Sequence, residues 1–372
     1  MTATSTGAQF RRAWLAAIGM AGALCVTPPA AGADAVPGLT LAGAYIGEFE
    51  RNFDPGQVSP RLKTAYHDVL NLSLTVDTAK AGLWPGGTLY IEGMRIHGDQ
   101  LSRHVIGELQ VASNIEAPGQ ILLEEAWYEQ QLMHGKLSLL AGLRDLNREF
   151  HVSEYSGLFL NSSFGIAPEM SANVPTSGYP QPGWAARIRI RPLPHWYVQL
   201  ADFDGDPQTR KLSAREGQMW MAETGFIHPT ARYRLGAWLH TAAKAYGGRV
   251  YQGDYGVYVL ADQQLAAIGT TRIGAFVQLG WVPPARNAVT RFLGLGLHVT
   301  GPLPSRDQDR LGLGLARAVT HHGAENTLEL TYRAVISSSI AIQPSFQWIN
   351  DPGGTAGAPP VRVGLLRFEL AF

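Results

Sequence analysis

Leu366-Arg367-Phe368-Glu369-Leu370-Ala371-Phe372 alternates strictly between two chemistries. In an extended chain successive side chains point to opposite faces, so Leu366, Phe368, Leu370 and Phe372 share one face while Arg367, Glu369 and Ala371 share the other. The same separation runs from Val69 to Asp77, with Leu70, Leu72, Leu74 and Val76 opposite Val69, Asn71, Ser73, Thr75 and Asp77. Between Thr327 and Ala334 it sets Leu328, Leu330, Tyr332 and Ala334 against Thr327, Glu329, Thr331 and Arg333. Ala186 to Arg191 gathers Arg187, Arg189 and Arg191 on one side. No long run keeps the 3.6-residue rhythm of an amphipathic helix, so the chain reads as all-β.

Sixteen such segments follow one another, near 39–49, 64–78, 87–97, 121–133, 136–144, 184–191, 195–203, 219–227, 231–241, 254–262, 271–281, 291–300, 310–319, 325–335, 339–349 and 361–372. Their connections alternate between long polar segments (50–63, 98–120, 145–183, 204–218) and tight turns such as His134-Gly135, Arg191 to Pro194, His228 to Thr230 and Ser337-Ser338. Long loops at one end and short turns at the other are the connectivity of a transmembrane antiparallel β-barrel, and an even strand number returns both chain ends to the periplasmic side. The contrast fades late in the chain, where 301–309 is a long turn and 320–324 a short loop.

Alternation alone fits a soluble sandwich as well as a membrane barrel. Composition separates them. Charged residues are 16% of the chain, against about 25% in a soluble domain. Trp196, Trp281, Trp348 and Phe372 stand at strand ends, where membrane barrels carry aromatic girdles. Basic and acidic residues number 30 each and form no basic block, which leaves no footing for a nucleic-acid partner. Ahead of the strands, basic Arg11 and Arg12, apolar Trp14 to Val26 and the small residues Ala31-Gly32-Ala33 read as a secretory signal, 1–33, cleaved before Asp34. The single cysteine, Cys25, lies inside it. Residues 34–372 are then one barrel domain with no thiol, no disulfide and no cofactor.

Three further segments carry a resemblance. Glu124-Glu125-Ala126-Trp127-Tyr128-Glu129-Gln130-Gln131 with Gly135-Lys136-Leu137-Ser138-Leu139-Leu140-Ala141-Gly142 is one, Phe159-Leu160-Asn161-Ser162-Ser163-Phe164-Gly165 the next, and Gln343 to Gly354 the last. Together they resemble a hairpin, a loop signature and the penultimate strand of the carbohydrate-selective porins of the OprB type, with matching spacing from residue 38 to residue 372. The resemblance implies an outer-membrane barrel through which monosaccharides or polyols diffuse into the periplasm, with a long third extracellular loop folded into the lumen. It allows a monomer as well as the homotrimer usual for general porins. Its other expected partners are outer-membrane lipid and the barrel-assembly machinery, which would read Phe372. Many relatives carry an additional segment ahead of the first strand, whereas here Asp34 to Pro37 precede it.

The loop 145–183 is the longest connection and would form the constriction. Strand phase sends Glu125, Trp127 and Glu129 inward on the fourth strand, Arg144 on the fifth, Arg187 and Arg189 on the sixth, and Arg232, Arg234, Trp238 and His240 on the ninth. A charge facing lipid near the midplane costs about 2–4 kcal/mol, so this phase is the inexpensive one. Arg144, Arg148 and Glu149 are expected to oppose Trp127, Glu129, Arg187 and Arg189 across the narrowest part. Guanidiniums and carboxylates offer paired donors and acceptors to sugar diols, while aromatic rings pack on their CH faces. Phe159 and Phe164 read as an anchor of the loop, and inward Gly294, Gly296, Gly312 and Gly314 as residues that widen the lumen. A general or mildly anion-selective porin is the alternative reading. An outer-membrane hydrolase is a third, although Ser337-Ser338-Ser339 and His321-His322 stand in no catalytic or metal-binding arrangement.

Overall fold

The computed structural model describes residues 36–372, so the export signal expected at 1–33 lies outside the described residues. Sixteen strands form: β1 (Leu39–Asn52), β2 (Thr64–Asp77), β3 (Gly87–Gly98), β4 (Gln120–Leu132), β5 (Leu137–Arg144), β6 (Gly183–Ile190), β7 (Trp196–Asp204) and β8 (Gln218–His228), then β9 (Ala231–Tyr246), β10 (Arg249–Ile268), β11 (Thr271–Trp281), β12 (Val289–Thr300), β13 (Arg310–Thr320), β14 (Ala324–Val335), β15 (Ile340–Asn350) and β16 (Val361–Ala371). Each pairs with its neighbours in sequence, and β16 closes on β1 with Ala44 opposite Ala371 and Asn52 opposite Val363. Closure satisfies every strand edge, the condition for crossing a bilayer with sheet. Phe372 extends the seam, exchanging backbone hydrogen bonds of 2.7 and 2.9 Å with Gly43.

Burial along the strands is inverted relative to a soluble protein. On β15 Ile340, Ile342, Phe346 and Trp348 are exposed while Gln343, Ser345 and Gln347 are buried. On β14 Glu329 is 0% exposed and Leu330 51%. The apolar face therefore points to lipid and the polar face inward, as the strand period requires when the solvent outside is hydrocarbon.

One strand, β10, is longer at both ends than the sequence reading, which ended β9 at 241, began β10 at 254 and ended it at 262, whereas β10 runs on to Ile268. The two strands instead run on to Tyr246 and from Arg249, and meet at a two-residue turn, Gly247-Gly248, with φ of +56° and +75°. Positive φ at both positions matches the twist of a hairpin and suits glycine. Above the lipid no apolar face is selected, so Ala242 to Tyr251 lacks the alternation that marks the other strands.

The chain between β5 and β6 packs against inward side chains of many strands. Phe159 and Phe164 pack tilted and edge-on against Phe276 of β11, with ring centroids 5.4 and 5.6 Å away. Their rings occupy the space that Gly312 and Gly314 of β13 leave by having no side chain. These glycines make room for the loop and not for open water. Gly296 likewise faces the ring of Phe276, and Gly294 that of Phe292.

Candidate functional site

Two carboxylates anchor the inner loops by their backbone. Glu329 of β14 accepts hydrogen bonds from Leu160 N at 2.8 Å and Asn161 N at 3.0 Å. Glu325 accepts from Leu109 N, Gln110 N and Gly353 N, each at 2.7 Å. Asn161 also donates to Gln347 of β15 at 3.0 Å, and Gln343 donates to Leu158 O at 2.7 Å. The two loops join each other through Asn114 N to Leu160 O, 2.7 Å, and Ser162 N to Val111 O, 2.9 Å. Between them lies a cavity of about 390 Å³, lined among others by Asn114, Glu116, Asn147, Ser153, Tyr179 and Gln181. That volume, with amide, hydroxyl and carboxyl groups on its wall, suits a small polar solute.

Asp145 and Asn147 also line the cavity, and beside them in the chain begins a charged network on β3 to β6. Arg144 reaches Glu125 at 2.7 Å and Glu149 at 2.6 Å. Arg148 lies 3.1 Å from Glu92 and 3.7 Å from both Glu124 and Glu125. Arg187 bridges Glu129 at 3.0 Å and Glu149 at 3.3 Å, and Arg189 meets Glu149 at 2.7 Å. Trp127 donates to Glu125 at 3.1 Å, stacks on Tyr90 with centroids 5.1 Å apart, and has the Arg144 guanidinium 4.7 Å from its ring.

Burial works to raise the Glu149 carboxyl, but Arg187, Arg144 and Arg189 outweigh it and hold the group well below the ordinary carboxylate range. Burial, with the Glu125 charge, pushes Asp145 up to about 6. Burial also disfavours the charged form of Arg148, yet Glu125, Glu92 and Glu124 more than compensate and keep it a cation.

Of the residues expected at the constriction, Glu125, Trp127, Glu129, Arg144, Arg148, Glu149, Arg187 and Arg189 come together. They do not oppose one another across open water as expected. They are bonded directly on one wall, because a desolvated guanidinium and carboxylate are stable only in contact. Arg144 and Arg187 are buried, and the side chains left accessible are Arg148, 26% exposed, Arg189, 16%, and the partly exposed Trp127 and Tyr90. Arg232, Arg234 and Trp238 stand apart on β9. Arg232 pairs with Glu154 of the loop at 2.5 Å, and Arg234 lies 3.5 Å from Asp262. Trp238 does not face the solute path. It is buried in an apolar cluster with Leu146, Phe150 and Met170, so its ring packs the loop against the wall. His240 donates from Nε2 to Gly205 O, 2.8 Å away, and is a wall residue too.

Glu92 and Glu124 escaped the sequence reading. A bulge in β4, where Glu92 pairs with Glu125 but Gly93 with Leu123, turns both Glu124 and Glu125 inward. The adjacent glutamates were themselves the signal, since unbroken alternation would leave one of them facing lipid.

A model of the carbohydrate-selective porin, OprB family, matches residues 61–372. The chain belongs to this family of porins. Porin B of Pseudomonas aeruginosa is 22% identical over 394 aligned positions, covering 88% of this chain and 86% of that protein. The high-pH structure of Pseudomonas putida OprB superimposes with a TM-score of 0.83 at 20% identity, over 90% of this chain and 94% of that one. An anion-selective porin from Comamonas acidovorans shares the barrel more loosely, with a TM-score of 0.57 at 11% identity over 90% of this chain and 99% of that one. Family membership and the closed barrel place the porin in the bacterial outer membrane, as a carbohydrate porin, with its long loops outside.

Proposed function

We propose that this porin passes small neutral monosaccharides or polyols by passive diffusion through the path between the loop cavity and the charged network, without chemical change. The observation that carries the reading is the pairing itself. The guanidiniums of Arg144, Arg148, Arg187 and Arg189 are matched by the carboxylates of Glu92, Glu124, Glu125, Glu129 and Glu149 beside an indole. Of this wall Arg148, Arg189, Trp127 and the Tyr90 hydroxyl stay accessible to vicinal hydroxyls, while the buried pairing keeps its net field on an ion small. Each exchanged hydrogen bond gains a net of about 0.5–1.5 kcal/mol, weak enough to permit release.

Liposome swelling tests it. Monosaccharides should enter faster than amino acids of equal size, and equal rates would favour a general porin. Faster entry of small anions would favour the anion-selective reading, and ester or peptide turnover by the purified protein would overturn a channel-only role. Removal of 1–33 predicts a mature chain whose mass begins at Asp34. Deletion of Phe372, which closes the β1–β16 seam, should lower the yield of assembled, heat-modifiable barrel. Crosslinking in solubilised outer membrane distinguishes monomer from homotrimer.

A further inference from the structure

On the outer surface, at the long-loop end, β12, β13, β16 and β1 carry arginines, with Trp348 of β15 opposite Arg362, where β6, β8, β10 and β11 carry aromatic rings. Trp184, Trp220, Tyr255 and Trp281 of β6, β8, β10 and β11 are outward and exposed. Around β12, β13, β16 and β1 the corresponding outward, exposed residues are Arg291, Arg317, Arg362 and Arg51. The register groups them in two pairs. Arg291 is opposite Val319, which puts Arg317 on the diagonal position two residues away, and Arg51 is opposite Gly364, which puts Arg362 likewise. Diagonal neighbours on one sheet face are about 7–8 Å apart at Cα, within reach of long side chains.

The two pairs differ in what neutralises them. Arg362 is held by Asp54 at 2.7 and 2.8 Å, and Arg51 donates to Thr64 at 3.3 Å. Arg317 donates only to the neutral Asn326 at 2.6 Å, and Arg291 has no hydrogen bond or ion pair among the described residues. Outward positions of β12 to β16 and β1 hold no Asp or Glu. Further round, Arg95 and Lys63 are paired with Asp68 and Asp99. Directly below the unneutralised pair, on the same outward face, stand Leu293, Leu295, Leu313 and Leu315, in the apolar band. A free phosphate would use only the guanidiniums, whereas a lipid would use both the charges and this band.

We propose that Arg291 and Arg317 clamp a phosphate of an anionic lipid headgroup in the outer leaflet, its acyl chains lying on the leucines beneath, with Arg51 and Arg362 as a weaker second site. Bidentate guanidinium contacts to phosphate oxygens supply the specificity. Charges near an anionic surface each contribute roughly fivefold in affinity, so the double variant Arg291→Gln with Arg317→Gln should bind about 30-fold more weakly. Arg51→Gln with Arg362→Gln should cost about fivefold, because Asp54 already offsets one charge.

The experiment uses the detergent-purified, delipidated full barrel and native mass spectrometry, titrating diphosphorylated lipid A, its dephosphorylated counterpart and inorganic phosphate. Support requires retention of the diphosphorylated lipid, about 30-fold weaker binding in the Arg291→Gln with Arg317→Gln variant, only partial recovery in Arg291→Lys with Arg317→Lys, whose ammonium groups keep the charge but not the bidentate fork, and sugar conductance unchanged throughout. Equal binding of the dephosphorylated lipid, or unchanged binding by the glutamine variant, overturns the proposal. So does displacement of the lipid by an equal concentration of inorganic phosphate. If the variant instead loses only association between copies, the face is a protein interface and the lipid site is wrong.

Discussion

Two inward walls lie on opposite sides of the closed strand order and use carboxylates in different ways. On β3 to β6 every inward glutamate of the network meets an arginine, as Glu125 meets Arg144 and Glu129 meets Arg187. On β14 the glutamates meet backbone amides instead, Glu329 holding Leu160 and Asn161, and Glu325 holding Leu109 and Gln110. Rings fill the space on this second side, with Phe159 and Phe164 against Phe276. The carboxylates of the first wall are thus balanced chiefly by arginine, and those of the second fasten loops through peptide N–H groups. The phase of the strand is the same in both cases, and the partner decides the role.

Removing a buried cation should separate the walls most strongly. Arg144→Ala leaves Glu125 and Glu149 without their shared guanidinium and should lower stability by about 3–5 kcal/mol, read as an earlier unfolding midpoint in denaturant. An unchanged midpoint would mean that the charged wall contributes nothing to holding the loop. Phe159→Ala attacks the opposite side and should cost about 3 kcal/mol of loop docking. Its signature in planar bilayers is a higher, noisier conductance for all solutes alike. A change in the ratio of sugar to ion passage would instead put Phe159 on the path.

Acidity distinguishes the walls again. Glu149 has its proton affinity lowered, so its contribution is present above the ordinary carboxylate range and is lost only in strong acid, and the bonds of Glu149 to Arg144, Arg187 and Arg189 should not change from about pH 5 to about pH 9. Glu108, in the loop that Glu325 fastens, is pushed up to about 8 by burial, with the Glu325 and Glu116 charges adding to it. A raised value contributes stability at low pH that disappears as pH rises through it. Amide protection of residues 102–119, corrected for intrinsic exchange rates, should therefore fall between about pH 5 and about pH 8, and Glu108→Gln should flatten that profile. Parallel behaviour of the two walls would remove the contrast.

The smallest effect lies at the indole. Trp127→Ala removes a packing face and no charge, so sugar block should weaken by about 1 kcal/mol with ion conductance retained, whereas Arg148→Ala should alter both. Identical single-channel records for the two variants would move the path away from this wall.

Much of this was legible residue by residue. Leu328, Glu329 and Leu330 announce a strand with lipid on one side, and the same rule placed Arg187, Arg189 and Arg144 inward. Where alternation failed, it failed for physical reasons. Glu124 turns inward through a bulge, which shifts phase by one residue without any glycine or proline on β4 itself to mark it. The β9–β10 hairpin continues past the lipid, where nothing selects for apolar residues. Trp238 has the inward phase of a solute-facing ring but is covered by Leu146 and Phe150 of the loop, a contact between positions far apart in the chain.

The order of residues by itself determined the barrel, its strand number and which face of most strands turns inward, because a bilayer imposes a two-residue period that each strand must carry locally. Only the tertiary structure decided which inward charges pair with arginine and which hold a loop, because that depends on where residues 145–182 fold back, and their contacts with Glu223, Asp262 and Glu329 link positions 72 to 169 residues apart.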